Sequence, residues 1–248
     1  MRMNRKLTWL FGIVFFLLPR VASAQCNSVA NTLADGRIVG PFTVDSTGDV
    51  EIFVDVTAGH SYSFEVLQTT AESVPTLNIG LDPCPTGNPT GARDTTAIDP
   101  VLNFSGARLS WTADTDSDDF VVSTASPFLT TFTVSVSDTT QYNPRWSTFS
   151  GFTTQWGFQN TTNFNITGTL KVFTTAGTLV SNTTFDIPSG RVVFKTSSAL
   201  TITANQSGNA IFTHNGPPGG IQADAYFVSS DVKTVVPAKF EGVREASH

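Results

Sequence analysis

From Val50 the chain alternates apolar and polar residues with a period of two. Val50, Ile52, Val54 and Val56 fall on one side, and Glu51 and Asp55 on the other. Ala58-Gly59 interrupts the pattern, and Tyr62, Phe64 and Val66 resume it with Ser61, Ser63 and Glu65 between them. Successive side chains of a strand point to opposite faces, so this reads as a hairpin with one dry and one wet face. Short strands follow at Leu77–Leu81, around Leu109 and Trp111, at Phe120–Ser123, and at Phe132, Val134 and Val136. Asp82–Pro100, rich in Pro, Gly, Thr and Asp, reads as a long loop.

A second block of the same character begins beyond Asp138–Pro144, a polar DTTQYNP segment that reads as the boundary. Its strands are expected at Trp156–Phe158, at Phe164 and Ile166, at Leu170 and Val172, and at Leu179–Ile187. Others follow at Val192 and Phe194, Ile202, Ile211–Phe212, Tyr226–Phe227 and Val235–Phe240. His214–Gly220, with two prolines and three glycines, is a loop. No window carries a helical period beyond two turns. Composition agrees, since only 14% of the 248 residues are charged and 37 are Thr, which suits a pleated, half-buried surface. The chain is expected to be all-β, two tandem antiparallel β-sandwiches at 25–142 and 143–248.

Residues 1–24 are expected to be a secretory signal peptide. Arg2, Arg5 and Lys6 precede an apolar run from Leu7 to Leu18, and Ala22-Ser23-Ala24 offers the small residues of a cleavage site. The run is shorter than the roughly 20 residues a membrane span needs. Cleavage removes four basic residues and leaves 10 against 20 acidic ones, a net charge of −10. A chain so acidic has no footprint for nucleic acid, and no second segment of spanning length follows. The destination is then the periplasm, the cell surface or the medium. Cys26 and Cys84, the two cysteines, are expected to pair there, closing a loop of roughly 58 residues worth about 4 kcal/mol by loop entropy.

Gly48-Asp49-Val50-Glu51-Ile52-Phe53-Val54-Asp55-Val56-Thr57-Ala58-Gly59-His60-Ser61-Tyr62-Ser63-Phe64 resembles the bacterial pre-peptidase C-terminal domain family. Thr76–Asp82, Ala107–Thr112 and Phe120–Ser123 are similar to its later strands, so the resemblance covers about 40–137. It implies a jelly-roll-like sandwich, an accessory module of secreted proteins without catalysis of its own, and calcium binding in some members. The second block is immunoglobulin-like only in its general pattern.

Candidate chemistry is sparse. Asp114, Asp116, Asp118 and Asp119 form the densest acidic cluster and could offer calcium several hard oxygens, with Asp49 and Glu51 of the other acidic turn as further candidates. The same residues more simply make a solvated hairpin turn, with Asp and Ser bonding their own backbone. No other cofactor is implied. His60, His214 and His248 are the three histidines, and no nucleophile elbow or short-spaced zinc pair accompanies them. Trp146, Phe149, Phe152 and Trp156 make either a sugar-stacking platform or, more simply, core. Asn103, Asn160, Asn165, Asn182 and Asn205 head N-x-S/T sequons, which so Thr-rich a chain produces by chance. The expected function is non-catalytic: a binding or structural module whose partner is an extracellular polysaccharide or protein. A calcium-dependent adhesin is the alternative, and a small secreted hydrolase a remoter one.

Overall fold

The structure is a computed structural model and describes residues 26–44, 49–69, 77–81, 94–95, 106–114, 116–124 and 129–242. The leader 1–24 and Cys84 lie outside the described residues, so cleavage and the Cys26–Cys84 bridge remain expectations. Among the described residues strands dominate, and the one helical element is a 3₁₀ turn at Phe149–Gly151. No helix among the described residues is long and apolar enough to cross a membrane.

The strands before the DTT sequence are β1 (Cys26–Leu33), β2 (Asp35–Val44), β3 (Asp49–Asp55), β4 (Ser61–Gln68), β5 (Leu77–Leu81), β6 (Asp94–Thr95), β7 (Gly106–Thr112), β8 (Ser117–Thr124) and β9 (Thr130–Asp138). They form two sheets, ordered β1-β3-β8-β5-β6 and β2-β9-β4-β7. Every pairing is antiparallel except β1 with β3. Val50, Ile52 and Val54 from the first sheet and Tyr62, Phe64, Val66, Phe132, Val134 and Val136 from the second bury together between them. The alternation of residues 50–66 thus supplies both inner faces of a sandwich, but β3 and β4 lie in different sheets and do not pair, so the expected hairpin is replaced by a crossing from one sheet to the other.

The strands after it are β10 (Gln141–Ser147), β11 (Phe152–Asn160), β12 (Ile166–Thr174), β13 (Leu179–Ile187), β14 (Val192–Thr196), β15 (Ser207–His214), β16 (Ile221–Ser229), β17 (Val235–Pro237) and β18 (Glu241–Gly242). Their sheets run β13-β12-β15-β10-β18 and β14-β11-β16-β17. The second core is separate from the first and holds Trp146, Trp156, Phe158, Ile166, Leu170, Val172 and Phe212. Phe158 stacks on Phe212 with ring centroids 4.3 Å apart, so the two sheets meet through aromatic rings.

Some expectations are corrected. The outer faces of β3 and β4 are not wet at their centres: Glu51, Ser61 and Ser63 are buried. Both strands lie inside their sheets, with a neighbouring strand on either side. β1, β2 and β10 were not legible as strands. β2 carries Gly36, Gly40 and Pro41, and its register with β9 shifts between Asp35 and Ile38 and again between Val39 and Phe42. Such bulges re-phase the strand and erase its alternation, and an edge position tolerates the proline. β10 does the same at Pro144, where its register with β15 shifts between Asn143 and Trp146. Most of the DTTQYNP segment is therefore strand, and only Thr139 and Thr140 connect β9 to β10.

Candidate functional site

Thr139 and Thr140 are both buried, and the buried Ser61 bonds to both of them and to His214. Their burial follows from the topology. β9 ends beside β4 in one sandwich and β10 begins beside β15 in the other, so the short connection is pressed between the two.

Ser61, the first residue of β4, is the hub. Its Oγ lies 2.9 Å from the Thr139 hydroxyl and accepts a hydrogen bond from the His214 backbone N–H at 3.2 Å. Its own N–H donates to Thr140 Oγ1 at 2.9 Å, and its carbonyl accepts from the Thr139 N–H at 2.8 Å. Strand ends leave donors and acceptors without ladder partners, and here side chains of the connection supply them.

On the opposite side of β4's first residue, His60 bridges the same joint. Its Nδ1 lies 2.8 Å from Asp138 Oδ2 and its Nε2 lies 3.1 Å from the Tyr142 hydroxyl. A carboxylate only accepts, so Nδ1 carries the proton and Nε2 is left to meet the phenol. The other carboxylate oxygen of Asp138 accepts from the Thr140 N–H at 2.8 Å, an Asx turn that holds the carboxylate in place. Tyr62 stacks beside the imidazole at 6.3 Å, and its hydroxyl accepts from the Thr57 N–H at 2.7 Å. Burial, with the Asp138 charge adding to it, raises the Tyr142 phenol above its ordinary value. Burial likewise pushes Tyr62 up to about 12. Both phenols therefore stay protonated at neutral pH and act as hydrogen-bonding groups.

His214 ends β15 at the floor of the joint. Its ring is buried, its Nδ1 accepts from the Gly216 N–H at 3.1 Å, and burial lowers it to about 4. It is a neutral imidazole held by its own loop. Away from the hub, the Arg108 guanidinium of β7 sits 5.0 Å over the Phe164 ring, and this is a second bridge between the two halves.

An Asp–His pair invites a catalytic reading, since a carboxylate that orients an imidazole is two-thirds of a nucleophilic triad. The third member is missing from the geometry. Ser61 follows His60 directly in the chain, and its Oγ engages Thr139 and His214 instead of the imidazole. The group that does meet Nε2 is a phenol kept protonated, a poor nucleophile. Chemically the arrangement is a clamp.

The other sequence candidates are scattered. Asp116 Oδ1 accepts from the Ala58 N–H at 3.0 Å, which staples two turns together, and Asp114 is exposed beside it. Asp118 and Asp119 belong to β8, opposite Val54 and Phe53. Among the described residues no three His, Cys, Asp or Glu side chains are grouped to hold a metal. Trp146 and Trp156 do not form a sugar platform, because both are fully buried in the second core. Their indole N–H groups are satisfied there. Trp146 Nε1 donates to the Phe173 carbonyl at 2.8 Å and Trp156 Nε1 to Asn143 Oδ1 at 3.1 Å. Asn160 is buried too, with its amide donating to the Phe164 and Ile187 carbonyls, which is a structural role.

Asp138, Tyr142, Thr139 and Thr140 were not legible as a site. The one available signal was an Asp placed two residues before a Thr at a strand end, and that pattern marks any turn. No family model matches the sequence, and no curated protein matches it.

Proposed function

We propose that the chain is an exported, non-catalytic module that binds or builds at the cell surface, in the periplasm or in the medium. The observation that carries this reading is the closure of the joint. Its imidazole, carboxylate and hydroxyls bond one another across the two sandwiches, and the hydroxyl that meets the imidazole is a phenol, not a serine or threonine. The leader-like Met1–Ala24, the low charge and the resemblance of Gly48–Phe64 to the accessory pre-peptidase C-terminal domains support it. The partner is an extracellular polysaccharide or protein. The exposure of Asp114 and Asp116 favours a calcium-dependent adhesin as the second reading.

The test is fractionation of the host into cytoplasm, periplasm, envelope and medium, with the terminal peptide identified by mass spectrometry. The proposal expects an exported protein whose first residue is Gln25. A cytoplasmic protein that still begins at Met1 would overturn it, as would a hydrolytic activity abolished by His60→Ala. For the adhesin reading, EDTA should lower the melting temperature, and an unchanged melting temperature removes calcium from it.

A further inference from the structure

The outward positions of the β14-β11-β16-β17 sheet carry an unusual set of side chains. Pairing places Phe194, Gly157 and Asp224 in one row across the sheet, and Val192, Gln159 and Gln222 in the next. The row on the other side holds Thr196, Gln155 and Tyr226. The alternation of β11 settles the facing, because Thr154, Trp156, Phe158 and Asn160 are buried on the inner side. Phe194 is 56% exposed, a large solvent-facing ring that the second core does not use.

Gly157 explains how the ring sits. A Cβ at this position would meet the Phe194 ring at 3.0 Å, so the missing side chain lets the ring lie across the sheet surface. An exposed aromatic ring lying over Gly157, with three amides and one carboxylate at neighbouring outward positions, combines an apolar surface with hydrogen-bonding groups. An aromatic face is electron-rich and attracts the C–H groups of a pyranose ring, while amides and a carboxylate bond its hydroxyls. The face is also continuous with a pocket of ≈ 360 Å³ that shares Gln222 and Asp224 and extends to Phe240 and Glu241 at the mouth between the two sheets.

Charge narrows the ligand. Among the described residues no Lys or Arg takes an outward position on β11, β14 or β16, because Lys195 pairs with Trp156 on the inner side. The acids Asp224 and Glu241 line the pocket, so an anionic glycan is repelled. The geometry points to this face as a binding site for a neutral polysaccharide chain, with Phe194 as the stacking platform and Gln159, Gln222 and Asp224 as the hydroxyl-reading groups. The inference rests on the chain being a binding module and names the ligand class and the site.

The test is titration of the intact chain with cellohexaose, xylohexaose, laminarihexaose and chitohexaose by calorimetry, with an anionic uronic-acid hexamer as control. At least one neutral hexamer should bind with a millimolar or tighter Kd. Phe194→Ala should weaken it at least tenfold, Asp224→Asn at least threefold, and Gly157→Val, which lifts the ring, should weaken it as well. Phe194 is exposed, so an unchanged melting temperature will show that Phe194→Ala is folded. Failure of all four hexamers at 10 mM, a Kd unmoved by Phe194→Ala, or preference for the anionic control overturns the inference. An exported protein that binds none of the hexamers defeats the glycan site alone, whereas a cytoplasmic location defeats the module reading beneath it.

Discussion

Ser61 Oγ accepts the backbone N–H of His214 at 3.2 Å, joining residues 153 positions apart and belonging to different sandwiches. The same oxygen meets the Thr139 hydroxyl, so one buried side chain ties both halves to the connection between them. Ser61→Ala leaves the buried His214 N–H short of a partner, while the Thr139 hydroxyl keeps the Ser61 carbonyl at 3.0 Å. Such a loss costs about 1–3 kcal/mol. Urea denaturation is expected to show that Ser61→Ala lowers stability by roughly 2 kcal/mol, while an exposed serine such as Ser198 changes it by under about 0.5 kcal/mol. Equal effects at the two sites would refute the hub.

His214 gives the joint a pH dependence. Its folded value, about 4, lies below the ordinary histidine value of 6.5 because burial penalises the charged ring. Between those values the unfolded chain binds the proton and the folded chain does not. The contribution is complete above pH 6.5 and is lost as pH falls towards 4, on the order of 3 kcal/mol in all. His214→Gln should flatten that part of the curve. The check is the difference in denaturation midpoint between pH 7 and pH 4.5 for the two proteins, which is expected to be larger for the wild type.

Gly208 marks the tightest backbone approach in the second sandwich. A Cβ there would lie 1.9 Å from the Phe173 carbonyl oxygen, the same oxygen that accepts the Trp146 indole N–H. No rotamer relieves a clash with backbone. Gly208→Ala should therefore cost roughly 3 kcal/mol or more. Thermal melting followed by tryptophan fluorescence reads this directly, and a melting temperature within a degree of wild type would contradict it.

Asn143 is fully buried and holds three elements at once. It accepts from Trp156 Nε1 and donates to the Ala238 carbonyl at 2.6 Å. Asn143→Leu has similar volume but orphans both partners, and a loss of about 2–4 kcal/mol is expected. Hydrogen exchange should localise the damage to β10 and the Ala238–Lys239 segment, and protection lost evenly across the chain would argue against this local role.

The sequence made the all-β architecture and the inner faces legible, because Val50, Ile52, Val54, Phe64, Val134 and Val136 obey a period of two without interruption. Bulges hid what lay between. Pro41 and Pro144 re-phase β2 and β10, so the strand that begins the second sandwich looked like a linker. The joint was hidden for another reason: its hydrogen bonds span 78 to 153 positions, and nothing local in HSYS or DTTQY announces a partner so far away. Phe194 was legible only as a strand position beside Val192. Only the sheet order shows that its side chain faces outward.

The His60–Asp138–Tyr142 and Ser61–Thr139–His214 contacts clamp the two sandwiches to each other. Differential scanning calorimetry of the wild type beside the His60→Ala/Ser61→Ala double variant tests this clamp most directly. One cooperative transition is expected for the wild type and two separated transitions for the variant. Two independent transitions already present in the wild type, and left in place by the double substitution, would contradict it.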